Sequence, residues 1–190
     1  LDALNADLAM ADRLIRPVLD VLVTWQLSST AATLPPYDAT LLRRELDLFP
    51  EWFVGRHLGV QLDDSEKSML DRTFKFLINS ALNQPKVFVH RDFMPRNLMV
   101  VESEARLTPG IIDFQDAVYG PITYDVVSLF RDAFISWDEE REIDWAVRYW
   151  SQAKRAGVPL GEELAGDFGE FWRALEWMGL QRHLKVLGIF

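Results

Sequence analysis

Three residues in the middle of the chain carry oxygen chemistry at a spacing that matters. Asp92 and Asn97 sit five apart in His90-Arg91-Asp92-Phe93-Met94-Pro95-Arg96-Asn97, and Asp113 follows in Ile111-Ile112-Asp113-Phe114-Gln115-Asp116. Two carboxylates and one amide oxygen are hard ligands of the kind Mg²⁺ takes, leaving positions open for phosphate oxygens and water. With these in reach of one ion, Asn97 and Asp113 can hold the metal against nucleotide phosphates. Asp92 can then orient an acceptor hydroxyl and take its proton, the division of labour that phosphoryl transfer needs. Each residue alone has a plainer reading, since Asp before a loop is commonly a turn residue and Asn near a strand an Asx turn. The joint order is what makes the group specific.

The elements around these residues follow from hydrophobic spacing. Met10, Leu14, Ile15, Val18, Leu19, Leu22 and Trp25 recur three or four apart, a helical stripe that Pro17 is expected to kink or break. After a polar Ser28-Ser29-Thr30 linker, Asp38 is placed to cap a second helix carrying Leu41, Leu42, Leu46, Phe49 and Phe53. Asp63 with Glu66 has capping-box spacing and opens a third. From Pro85 the texture changes to three short β-prone runs, 86–89, 98–101 and 110–113, with 102–109 as a hairpin connection. They predict a small ribbon that puts Asp92 and Asn97 on one loop and Asp113 at the end of its last strand. Helices return after Pro121, first through Val126, Val127, Leu129, Phe130 and Phe134. A second, with Ser136 and Glu139 as its capping box, is closed by Gly157 and Pro159, and a last region runs from about Glu162.

Composition narrows the function classes. The chain has 190 residues, enough for one domain with a sizeable core, and carries 20 Lys plus Arg against 29 Asp plus Glu, a net charge of −9. Such acidity argues against coating nucleic acid or an anionic membrane. There is no cysteine, which excludes disulfides, thiol catalysis and thiolate metal sites and fits the cytoplasm. No apolar run approaches the ~18 residues that span a bilayer, and no secretory signal opens the chain. It begins at Leu1 and ends on the apolar Leu187-Gly188-Ile189-Phe190, so a piece of something longer is expected.

His90-Arg91-Asp92, four residues, then Asn97 matches the catalytic-loop pattern of kinases, and Asp113-Phe114 gives the first two positions of their metal loop. Gln115 stands in place of the usual glycine. At these residues the sequence resembles the aminoglycoside phosphotransferase superfamily of small-molecule kinases, and the likeness continues from Ala117 through Tyr124-Asp125 to Leu129. Over 34–38, 45–53, 113–129 and 178–190 it is similar to the anomeric sugar kinases of bacterial cell-wall recycling, which phosphorylate N-acetylmuramate and N-acetylglucosamine at the C1 hydroxyl. The resemblance implies an α+β, mostly helical C-terminal lobe of a protein-kinase-like fold over 1–190, with a small central ribbon holding the catalytic and metal loops. It implies ATP and Mg²⁺ as cofactors, Asp92 as base, Asn97 and Asp113 as metal ligands, and Asp125 as a brace of the catalytic loop. The phosphate-covering loop and the Lys–Glu pair of an N-terminal lobe are not found before Asp92, so 1–190 alone is expected to have little or no activity.

Only 114–120 separate Asp113 from Pro121, which leaves no room for a peptide-docking activation segment, so a small acceptor, an amino sugar, is expected. Arg91 is expected to pair with Asp116 or Asp125. Arg96 and Asp116 are candidates for substrate contact, Arg96 either steadying the transferring phosphoryl group or meeting a substrate carboxylate. Trp137 is a candidate for stacking on sugar, with Trp145 and Trp150 beside it, although aromatics at helical spacing are more often core. His90 is expected to support the loop by packing or hydrogen bonding. Two other readings stay open: an aminoglycoside or other amino-alcohol kinase of the same superfamily, and a non-catalytic pseudokinase-like binding module, against which the intact Asp92, Asn97 and Asp113 argue.

Overall fold

The computed structural model describes residues 8–31, 33–103 and 106–190. Helix α1, Leu8–Leu27, continues without a break through Pro17 and buries Leu14, Ile15, Val18, Leu19 and Leu22. Proline there forfeits one backbone hydrogen bond, and the buried stripe on both sides of it outweighs that loss. Asp38 caps α2, Ala39–Leu48, by accepting from the Leu41 N–H at 2.9 Å. The helix then widens, without a break, into a π-helical segment at Phe49–His57, where the rings of Phe49, Phe53 and His57 stack 5.6 Å apart in succession. Asp63 and Glu66 close the expected capping box at the start of α3, Asp64–Asn83.

The strands form two separate antiparallel pairs. β1, Lys86–Val89, pairs with β4, Val118–Pro121, while β2, Leu98–Ser103, pairs with β3, Arg106–Ile111. The first β-prone run therefore does not join the other two; its partner is a strand the periodicity did not reveal, Val-Tyr-Gly-Pro being short and glycine-containing. Strand pairing in the hairpin extends to Ser103 and Arg106, and residues 104 and 105 of the expected connection lie outside the described residues. A strap at Pro35–Tyr37 runs along β4: the Tyr37 N–H donates to the Tyr119 carbonyl at 2.9 Å and the Tyr119 N–H to the Pro35 carbonyl at 2.8 Å. Gly120 is required beneath it, since a Cβ there would meet the Tyr37 Cβ at 2.6 Å.

Helix α4, Tyr124–Phe130, is buried at every position and forms the centre of the core. Gln84 anchors its start, accepting from both the N–H and the hydroxyl of Thr123. Phe134 is not part of that helix and is half-exposed. Helix α5, Glu139–Ala156, is capped by Asp138, not by Ser136: the Asp138 carboxylate accepts from the Arg141 N–H at 2.9 Å, a stronger acceptor than a serine hydroxyl two residues earlier. Gly157 ends it in the left-handed conformation as expected. The final region is divided at Asp167 into α6, Gly161–Gly166, and α7, Phe168–Ile189; α7 packs on the π-helical segment, α2, α3 and α4. The described residues are mostly helical with two small sheets, an α+β lobe as the resemblance implied. Among them, no helix is long and apolar enough to cross a membrane.

Candidate active site

The two strand pairs explain why two loops come together. The loop at 90–97 leaves β1 and enters β2; the loop at 112–117 leaves β3 and enters β4. Because Val89 lies opposite Val118 and Leu98 opposite Ile111, each loop is pinned beside the other at both ends. Asn97 sews them together. Its side-chain N–H donates to the Asp92 carbonyl at 2.9 Å, and its own carbonyl accepts from the Ile112 N–H at 3.1 Å, one residue before Asp113. The Asn97 side-chain oxygen accepts no hydrogen bond among the described residues.

Arg91 and Asp113 both adopt φ +72°, and they are the non-glycine residues in the left-handed region among those described. That conformation costs a residue with a Cβ about 1 kcal/mol or more. Backbone hydrogen bonding holds Arg91 against the cost. The buried Asp125 carboxylate, on the first turn of α4, accepts from the His90 N–H at 2.7 Å and the Arg91 N–H at 3.1 Å. Burial lifts the Asp125 carboxyl to about 7, against the pull of those two amides and of Arg182. At Asp113, the Gln115 side-chain amide donates to Oδ1 at 2.6 Å. Gln115, the departure from the kinase pattern, thus steadies the carboxylate and leaves its other oxygen available.

His90 is fully buried, with its ring 5.9 Å from both Trp25 and Phe93. Neither ring nitrogen has a hydrogen-bond partner of normal geometry among the described residues. Burial pushes the imidazole below its ordinary value although Asp92 and Asp113 both pull it upward. It therefore supports the loop by packing, and it lies within electrostatic reach of both carboxylates.

Arg91 turns away from the acids expected for it. Its guanidinium pairs with Glu45 of α2 at 2.6 Å; Asp116 offers only a carbonyl at 3.4 Å, and the Asp125 carboxylate takes the backbone of Arg91 instead. The cause is burial: Asp125 is committed to two amides and Asp116 is exposed, while Glu45 is enclosed at the loop's inner side. Arg96 is exposed, lies 3.9 Å over the Phe134 ring, and has no acid partner among the described residues. Trp137 is half-buried, edge-on to Trp145 at 5.0 Å. Trp145 is core, 1% exposed and bonded through its indole N–H to Asp12, which removes it from the sugar-contact candidates. Trp150 donates to the Leu164 carbonyl. Sequence reasoning missed Glu45, Gln115 and Phe134. Glu45 alone left a signal, an acid on the same helix face as Leu42 and Leu46.

The donor set fits Mg²⁺. No group of three or more His, Cys, Asp or Glu side chains suited to a metal occurs among the described residues, so a closed protein cage is not available. Two carboxylates and an amide oxygen with free lone pairs suit a hard ion that keeps water and phosphate in its remaining positions.

A mostly helical α+β lobe whose two strand pairs pin two acid-bearing loops side by side suits phosphoryl transfer, and the sequence agrees: the chain belongs to the phosphotransferase enzyme family, whose pattern it matches over residues 2–160. Among its relatives are N-acetylmuramate/N-acetylglucosamine kinases. That of Pseudomonas putida is 52% identical over 190 residues, all of this chain and 53% of that protein. That of Pseudomonas aeruginosa is 51% identical over 180 residues, 95% of this chain and 51% of that protein. That of Neisseria meningitidis is 49% identical over 177 residues, 93% of this chain and 51% of that protein. The chain thus spans about half the length of these curated relatives. A solved structure, choline kinase LicA from Streptococcus pneumoniae, aligns with a TM-score of 0.42 at 13% identity, over 88% of this chain and 64% of that one.

Proposed function

We propose that the protein is an ATP- and Mg²⁺-dependent sugar kinase acting on the anomeric hydroxyl of N-acetylmuramate and N-acetylglucosamine in the cytoplasm, and that residues 1–190 are its C-terminal, catalytic lobe. The observation that carries this reading is the double tie at Asn97, which holds the Asp92 and Asp113 loops to one residue. The named activity of relatives near 50% identity supplies the acceptor. Their length, about twice that of this chain, supports the assignment to one lobe.

In this reading Asn97 and Asp113 hold Mg²⁺, which when bound neutralises charge on the nucleotide phosphates. Asp92 orients the C1 hydroxyl and accepts its proton as the oxygen–phosphorus bond forms and the bond to the departing ADP breaks. Gln115 fixes one oxygen of Asp113 so that the other faces a constant geometry. Asp125 keeps the backbone of His90 and Arg91 in place, and thereby the position of Asp92. Arg96 offers a guanidinium to an acidic substituent, such as the lactyl carboxylate that N-acetylmuramate has and N-acetylglucosamine lacks. Asp116 and Trp137 complete the candidate substrate contacts.

The test is phosphate transfer from ATP by the full-length protein to N-acetylmuramate, N-acetylglucosamine and kanamycin, with the position of the phosphate read by NMR. Transfer to C1 of both sugars is expected, and Asp92→Asn should lower kcat by about 10²–10⁴-fold. Transfer to kanamycin alone, or an Asp92→Asn enzyme as fast as the wild type, refutes the reading.

A further inference from the structure

Glu45 sits where little solvent reaches it and where four side chains from three other parts of the chain converge. Its carboxylate is 5% exposed. It accepts from Arg91 Nη2 at 2.6 Å, from Lys185 Nζ at 2.9 Å, from Gln181 Nε2 at 3.3 Å and from the Tyr37 hydroxyl. Lys185 also donates to the Tyr124 hydroxyl at 3.0 Å, and the Tyr37 ring packs edge-on against that of Tyr124. One acid on α2 therefore joins the catalytic loop, the strap at Pro35–Tyr37, the start of α4 and the last turns of α7.

Burial of a carboxylate is unfavourable unless it is paired and hydrogen-bonded. Here burial pushes the Glu45 carboxyl upward, and Lys185, Tyr37 and Arg91 together hold it below its ordinary value. The charge is thus kept in the fold by its partners. Among them Arg91 is singular. It adjoins Asp92, its backbone is in the left-handed region, and its two anchors act on different parts of it: Asp125 on the N–H, Glu45 on the guanidinium. With the amide alone held, the Arg91 side chain is free to swing; with the guanidinium held as well, its Cα is tethered from two sides, and the chain that enters Asp92 starts from one place.

We infer that Glu45 is a positioning residue for phosphoryl transfer, acting through Arg91 to fix the direction in which Asp92 is presented. The inference rests on the sugar-kinase reading above. Glu45 does not touch substrate; its effect passes along Glu45–Arg91–Asp92. This differs from a purely structural hub in what it makes happen. A structural acid, once replaced, lowers stability and leaves turnover intact in the molecules that remain folded. A positioning acid lowers turnover in folded molecules, because misplacing a catalytic group by about 1 Å can cost on the order of 100-fold.

The experiment uses the full-length protein, ATP and both amino sugars, at a temperature where each variant is folded by circular dichroism. Glu45→Gln keeps the shape and removes the charge. It should lower kcat about 10- to 100-fold with KM for sugar and ATP within about twofold. Arg91→Gln should lower kcat to a similar extent, and the double variant should be no slower than the slower single one. Lower thermal stability with unchanged kcat in Glu45→Gln overturns the inference, as do single effects that multiply in the double variant. If Glu45→Gln does not fold, Arg91→Gln decides, since Glu45 then keeps Lys185, Gln181 and Tyr37; wild-type kcat in that variant overturns the inference. A wild-type protein inactive on both sugars refutes the kinase reading instead, and the inference with it.

Discussion

Asp125→Asn sets two effects against each other inside one buried contact. Two backbone amides point at the Asp125 carboxylate, at 2.7 and 3.1 Å, and favour its anion. Complete burial disfavours the anion, as does Asp92, while Arg182 favours it. Burial wins, and the carboxyl lies at about 7 against an ordinary 3.8. Between these values the folded protein holds a proton that the unfolded chain has released. Stability from this group is therefore full below the ordinary value and is lost as pH rises through about 7. At about 1.4 kcal/mol per pH unit, the whole effect is about 4 kcal/mol, of which about 2 kcal/mol falls between pH 5 and 7. Asparagine does not titrate. Urea unfolding of both proteins at constant ionic strength, followed by tryptophan fluorescence at pH 5, 6, 7 and 8, should show the wild type losing about 2 kcal/mol relative to Asp125→Asn from pH 5 to 7 and little more beyond pH 8. A difference that stays flat, or that grows in favour of the wild type, would mean that the two amides hold the carboxylate ionised throughout and would refute the reasoning.

Further expectations concern substrate choice and packing. Arg96→Gln should raise KM for N-acetylmuramate about tenfold or more and leave that for N-acetylglucosamine within about twofold, since only the first sugar carries a carboxylate for a charge-assisted bond; equal losses on both would remove Arg96 from recognition. Gly188→Ala should cost about 1–3 kcal/mol. The new Cβ would stand 2.5 Å from the carbonyl carbon and Cβ of Leu48, so that α7 must lift from the junction of α2 and the π-helical segment. A melting temperature equal to that of the wild type would show that this junction yields freely.

Local chemistry was legible along the chain. Asp38 and Asp63 declared their helices because a cap needs only the next three residues. The order of Asp92, Asn97 and Asp113 pointed to the phosphotransferase family to which the chain belongs, because residue types and loop lengths are written in sequence. Pro17 did not break its helix, since a lost hydrogen bond weighs less than a buried stripe that spans it. Ser136 misled because a better cap, Asp138, stood two residues on.

What the amino-acid order determined by itself was thus the candidate reacting groups, most of the helices flanking them, and the family. What only the tertiary structure decided was partnership across long separations: β1 with β4, Gln84 with Thr123, and Glu45 with Arg91 and, 136 residues further along, Gln181. The physical reason is that burial creates those pairings. A strand as short as β4 has little pattern of its own, and Glu45, although its place beside Leu42 and Leu46 marks it as inward-facing, does not name its partners until packing removes its water and obliges it to find cations.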